Sequence, residues 1–213
     1  RYCNAAEPRT PEPVPLIARP MPVELAREAF ALYMEYPGAM SVFCDGRTYR
    51  DTVAMERFAR RNARRGSTEA RQPNDGRFTV VRDLTEWMSR HAHEVEKFCM
   101  FFDTAEQAQA ALPRFRALAG AEVVQGSPDN IELTAQGVDK GTALLALADL
   151  LHIPREATVA VGDSENDRAM LEKAGIAAVM ANGMPHIQAL ADLVSTNDCD
   201  HDGVAELFER LGL

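Results

Sequence analysis

Residues 157–171 read ATVAVGDSENDRAML: an apolar run that closes at Gly162 and leads straight into Asp163, Glu165 and Asp167, three carboxylates within five positions. A short apolar run closed by a turn residue and followed by helix formers predicts a buried parallel strand feeding a helix. In an open parallel sheet ligands bind beyond the carboxyl ends of the strands, so Asp163 stands where a site is expected. Carboxylates this close repel one another unless a cation answers them, and Mg²⁺ is held by one or two carboxylates together with waters and phosphate oxygens. The same residues also have a local reading. Ser164 with Asp167 three positions on spells a capping box, and acidic residues favour helix N-termini in any case. For Ser164, Glu165 and Asp167 both readings stand; Asp163, at the strand end, is better explained by a metal.

Outward from this stretch, the C-terminal part alternates strictly. Helix 139–151, strand 157–162, helix 165–174, strand 176–180, helix 184–192, a short strand 193–195 and helix 204–211 predict parallel strands with crossover helices. GVDKG at 137–141 places Lys140 at the start of the first of these helices, whose amides favour an anion, so Lys140 is a phosphate-ligand candidate beside the blander reading of a solvated lysine. Before TAQGV (134–138) the rhythm is different. Helix 22–36, a hairpin turning at Asp45-Gly46, helix 53–65, a loop at 66–76, then strand 77–81, helix 84–92, strand 95–102, helix 105–118 and strands 121–125 and 130–134 read as an α+β unit. The expected domains are 1–135 and 136–213. Six prolines between residues 7 and 22 make that stretch an extended connector.

The chain has 213 residues, 46% of them hydrophobic and 26% charged, enough to bury a core. With 23 Lys and Arg against 32 Asp and Glu the net charge is -9, which argues against a general nucleic-acid or anionic-membrane binder. No apolar stretch reaches the ~20 residues of a membrane span. Cys3, Cys44, Cys99 and Cys199 lack zinc or C-x-x-C spacing, and no signal peptide is seen, so reduced thiols and a cytoplasmic location are expected.

Other motifs compete. Asp198, Asp200, Asp202, Gly203 and Glu209 match the EF-hand spacing, which makes 198–209 a calcium-binding candidate, although only RLGL follows Glu209 and an EF-hand needs a helix on both flanks. DHDGV at 200–204 resembles an aspartyl nucleophile motif but follows a polar run, where the motif requires an apolar strand. Arg57, Arg60, Arg61, Arg64 and Arg65 form a basic stripe, expected to be a solvated face. The five histidines show no metal-ligand spacing.

Taken together, VDKGTALLAL (138–147), VAVGDSENDRAMLEKAG (159–175), VMANGMPHIQALAD (179–192) and DGVAELF (202–208) resemble the C-terminal core of the haloacid dehalogenase superfamily of phosphatases, in particular its Cof-type sugar-phosphatase branch. Residues 1–130 resemble the inserted cap of that branch by order of elements, and RYCNAAE resembles the end of a core strand. Asn4-Ala5-Ala6 and Ala181 depart mildly from the pattern. The resemblance implies a partial Rossmann-like parallel α/β core with an inserted α+β cap. It also implies Mg²⁺-dependent hydrolysis of a small phosphorylated metabolite, a sugar phosphate or nucleotide-like phosphate, through an aspartyl phosphate. Lys140 would bind the transferring phosphoryl group as a catalytic residue, Asp163 and Asp167 would serve the metal, and Asn166 would bind the substrate phosphate. The family's nucleophile, its acid/base aspartate and its phosphate-loop Ser or Thr are expected upstream of Arg1. A non-catalytic ligand-binding protein is the alternative.

Overall fold

The computed structural model describes residues 16–64 and 78–213. Residues 7–15 of the connector, the RYCNAAE stretch, Arg65 and the loop at 66–76 therefore lie outside the described residues. The chain divides into two compact units, one running to Val123 and including Pro128–Ala135, the other comprising Val124–Ser127 and Gln136–Leu213.

The first unit is built on a six-stranded sheet whose strands lie in the order 79–81, 47–51, 38–44, 95–102, 130–135 and 121–124. Its elements in chain order are α1 (Val23–Met34), β1 (Gly38–Cys44), β2 (Arg47–Asp51), α2 (Thr52–Arg64), β3 (Thr79–Val81), α3 (Leu84–His91), β4 (Val95–Phe102), α4 (Ala105–Arg116), β5 (Ala121–Val124) and β6 (Asn130–Ala135). Asp45 and Gly46 both take positive φ, 49° and 68°, the backbone that a two-residue hairpin with right-handed strand twist requires. Side-chain alternation sends Met40, Val42, Phe98, Met100, Phe102, Ile131 and Leu133 into one core with α1, α3 and α4. Tyr33 is buried at its centre and donates its hydroxyl to the Ile131 carbonyl at 3.1 Å.

On the opposite face α2 lies over the sheet, and here the solvated-face expectation for the arginine stripe fails at Arg57 and Arg61. Arg57 Nη1 donates to the Gly38 carbonyl at 2.7 Å, while Arg61 pairs with Asp129 at 2.8 Å and sits 4.2 Å above the Phe101 ring. Two successive turns of α2 thus spend arginines on the sheet beneath; Arg60 and Arg64 remain exposed. Cys44 and Cys99 are buried free thiols, each pushed up to about 12 chiefly by desolvation, whereas Cys199 is exposed and unpaired.

The second unit contains α5 (Lys140–Leu150), β7 (Val159–Gly162), α6 (Arg168–Lys173), β8 (Ile176–Val179), α7 (Pro185–Gln188), β9 (Leu193–Val194) and α8 (Gly203–Leu211). Strands β7, β8 and β9 are neighbours and parallel, with Val159 opposite Ile176, Gly162 opposite Val179 and Val179 opposite Val194. The alternating rhythm is therefore a parallel α/β sheet. Two elements are shorter than expected. Glu165–Asp167 form a 3₁₀ turn, and α6 begins only at Arg168. The helix expected at 184–192 stops at Gln188, because Asp192 must meet β8: its N–H donates to the Ala177 carbonyl and its Oδ2 accepts the Ala177 N–H, each at 2.8 Å. Among the described residues no helix is long and apolar enough to cross a membrane.

Candidate active site

The parallel strands lead at their carboxyl ends into Asp163, Met180 and Ser195, so β7 alone delivers a carboxylate to that edge. Gly162 is needed there. A Cβ at this position would lie 2.5 Å from Asp167 Cβ, so the bare backbone lets the 3₁₀ turn fold Asp167 back against the strand end. Folded back, Asp167 Oδ2 accepts the N–H of Asp163 at 3.0 Å and that of Ser164 at 3.3 Å. The capping role is therefore real, and it is not the whole of what Asp167 does. Its Oδ1 takes the Lys140 ammonium at 2.6 Å, with the Asp167 side chain 7% exposed and that of Lys140 50% exposed.

Lys140 reaches this point because α5 starts there. Asp139 caps α5 by accepting the Thr142 N–H at 2.6 Å and is itself held by Lys173 Nζ at 3.1 and 2.9 Å. Gly141 allows the approach of α5 to α6, since a Cβ at this position would collide with the Ala169 carbonyl oxygen and lie 2.7 Å from Lys173 Cδ. Neither Asp139 nor Lys173 was singled out by the sequence motifs.

The three carboxylates of the opening stretch differ in their partners. Glu165 is gripped by Arg168, Nε to Oε1 at 2.6 Å, and lies 2.8 Å from His186 Nε2, and these neighbours hold it below the usual range. Burial alone would raise Asp167, but the ammonium of Lys140 and the two N–H groups outweigh it and hold this carboxyl low. Asp163 is pushed upward, by desolvation first and then by the negative charge of Asp167. Among the described residues no basic side chain forms an ion pair with it. Two carboxylates thus carry direct ion pairs, while Asp163 feels the Lys140 charge without one. Asp163 and Asp167 present only hard oxygen donors, the type Mg²⁺ takes, so the residues fit that ion. No group of three or more His, Cys, Asp or Glu side chains among the described residues is placed to hold a metal without further ligands. Asn166 lies in the same turn and accepts the Ser164 hydroxyl through Oδ1 at 2.8 Å, which leaves its NH₂ as a donor.

The calcium reading of 198–209 is corrected. Strand β9, not a helix, enters that segment, and Asp198 Oδ1 is taken by His201 Nδ1 at 2.6 Å and by the Asp200 N–H at 3.0 Å. An EF-hand needs its acidic side chains turned inward between two helices, and one of those helices is missing. The segment instead joins a polar concavity of about 260 Å³ lined by Ala181, Asn182, Thr196, Asn197, Asp198 and His201, beyond the ends of β8 and β9.

The sequence profile of the haloacid dehalogenase-like hydrolases matches residues 14–208. The chain is 39% identical over 106 residues to the phosphatase YwpJ of Bacillus subtilis, a match covering 50% of this chain and 37% of that protein. It is 32% identical over 118 residues to the 5-amino-6-(5-phospho-D-ribitylamino)uracil phosphatase YcsE of the same organism, covering 55% of this chain and 47% of the relative. These matches span less than half the length of either relative. A solved haloacid dehalogenase-like hydrolase from B. subtilis superimposes with a TM-score of 0.73 at 27% identity, over 91% of this chain and 72% of that one.

Proposed function

The chain belongs to the haloacid dehalogenase-like hydrolase family, and from that membership we propose that its second unit carries the metal- and phosphate-binding part of a phosphatase for small phosphorylated metabolites. The observation that carries this reading is the Lys140–Asp167 pair at 2.6 Å beside Asp163, which is raised by desolvation and by the Asp167 charge and forms no ion pair among the described residues. Asp163, supported by Asp167, would hold Mg²⁺, which supplies positive charge against the phosphoryl oxygens when bound. Lys140, half exposed at its ammonium, offers a second positive charge to the transferring group, and Asn166 offers a neutral donor to a phosphate oxygen. Phosphoryl transfer depends on positioning and on compensating charge at the equatorial oxygens, and these side chains supply both. The first unit would act as the cap that selects the leaving group; a relative named for a ribitylamino-uracil phosphate fits a hydroxylated, metabolite-sized substrate.

The covalent step needs a nucleophilic carboxylate, and Asp163 and Asp167 have no third carboxylate converging with them among the described residues. In this reading the nucleophile and its acid/base partner come from sequence outside those residues, and attack on phosphorus gives an aspartyl phosphate that water then hydrolyses. The alternative is a protein that binds a phosphorylated ligand without turning it over. Assay of p-nitrophenyl phosphate with Mg²⁺, using the 213-residue chain and a chain extended at its N-terminus, each alongside Asp163→Ala, separates them. The expected result is Asp163-dependent turnover by the extended chain, with the short chain slower on the order of 10⁴-fold. Phosphate binding without turnover in both would favour the binding protein.

A further inference from the structure

Two oppositely charged neighbours, Asp139 and Lys140, meet two oppositely charged partners on one segment: Asp139 takes Lys173, and Lys140 takes Asp167. Asp139 is adjacent in sequence to the ammonium that the proposed site relies on, and its side chain is only 20% exposed. Left without a cation, that carboxylate would be a nearby competitor for Lys140. Lys173 is the cation that answers Asp139. Its ammonium reaches both Asp139 oxygens, at 3.1 and 2.9 Å, from the last turn of α6, the helix that follows Asp167 directly. The Lys173 stem lies over Gly141, where a Cβ would be 2.7 Å from its Cδ, so the stem is packed as well as paired. Asp139 is consequently held low by Lys173, with the Thr142 N–H assisting, against the effect of its own burial.

We infer that Lys173 is a positioning residue: by neutralising Asp139 it keeps the Lys140 ammonium on Asp167 and available to a phosphate. This inference rests on the phosphate-site reading above. A merely structural Lys173, tying α6 to α5 or facing the negative end of α6, predicts something different when the charge of Asp139 is also removed. Asparagine caps helices as well as aspartate, so Asp139→Asn keeps the cap and discards only the competing charge.

The experiment titrates inorganic phosphate in the presence of Mg²⁺ into the wild-type chain, K173M, K173R and the double variant D139N/K173M, with melting curves for each. In parallel the Lys140 ammonium is followed by ¹⁵N NMR, assigned through Lys140→Arg. K173M is expected to weaken phosphate binding about tenfold, the scale typical of residues that orient a ligating side chain. K173R should restore it, and D139N/K173M should regain most of the loss although it lacks both halves of the ion pair. A double variant as weak as K173M, with folding intact, would overturn the inference. If the wild-type chain fails to bind phosphate, the phosphate-site reading falls. The ammonium signal still decides the positioning, because it must move toward that of a solvated lysine in K173M and return in the double variant, and no movement overturns it.

Discussion

Gly162 has no side chain because Asp167 fills the place one would take, and the site depends on that exchange of volume. Gly162→Ala is expected to lower stability by about 1–3 kcal/mol, the range for overpacking a tight site, and to weaken Mg²⁺ and phosphate binding together, because Asp167 is the side chain that must move. Thermal melts and calorimetric titration of the variant check both halves. Asp163, Asp167 and Lys140 could be picked out before any coordinates, since an apolar run ending in carboxylates and a lysine at a helix start are local patterns. The partners that decide what each charge is free to do could not. Lys173 lies 34 positions from Asp139 and His186 lies 21 from Glu165, and no spacing rule links residues brought together only by the crossing of elements. Glu165 and Asp163 look alike in the sequence and differ in the fold because Arg168 and His186 reach only the first.

At the scale of elements, α8 is fastened to the end of β9 by two side chains, Arg210, whose Nη1 donates to the Val194 carbonyl at 2.8 Å, and Glu206. Glu206 accepts the N–H of Thr196 at 2.9 Å and that of Asn197 at 2.8 Å, pairs with Arg210 at 3.1 Å, and is lowered from 4.5 to about 2, above all by the two backbone donors. A carboxyl whose folded value lies below its unfolded one contributes fully above the unfolded value and loses that contribution as pH falls through the folded one. The wild type should therefore out-melt Glu206→Gln by a constant margin above pH 4.5, and the margin should close as pH approaches 2. A margin independent of pH would count against this role. Element order along the second unit follows from the alternation of apolar strands and helices, whereas element length does not. Helix α7 ends early because the backbone of Asp192 is claimed by β8, a tertiary demand that overrides local helix propensity. The partial burial of Arg57 and Arg61 was hidden for a related reason: a stripe of arginines looks solvated until the carbonyl, carboxylate and ring beneath it are known.

Across the whole molecule, the two units keep separate hydrophobic cores, and stability changes in one are expected to add to those in the other. Arg61→Ala removes charge-assisted hydrogen bonds to Asp129 and should cost about 1–3 kcal/mol. Gly141→Ala drives a methyl into the Ala169 carbonyl and should cost a similar amount, about 1–3 kcal/mol. Denaturant melts of both single variants and the double should sum to within about 0.5 kcal/mol, and a larger discrepancy would mean that the units are energetically coupled.

The unequal fates of the thiols have a practical consequence. Alkylation proceeds through the thiolate, and at neutral pH a thiol near 12 supplies about one such anion in 10⁵ molecules, so Cys44 and Cys99 should resist maleimide and iodoacetamide until the protein unfolds. With Cys3 replaced by serine, the folded chain should take up a single equivalent of reagent, at Cys199. The backbone N–H of Cys199 donates to Asn182 Oδ1 at 3.1 Å, which links it to the loop after β8. A fluorophore attached at Cys199 would then sit beside the polar concavity and test optically whether a phosphorylated compound binds at the carboxyl edge of the parallel sheet.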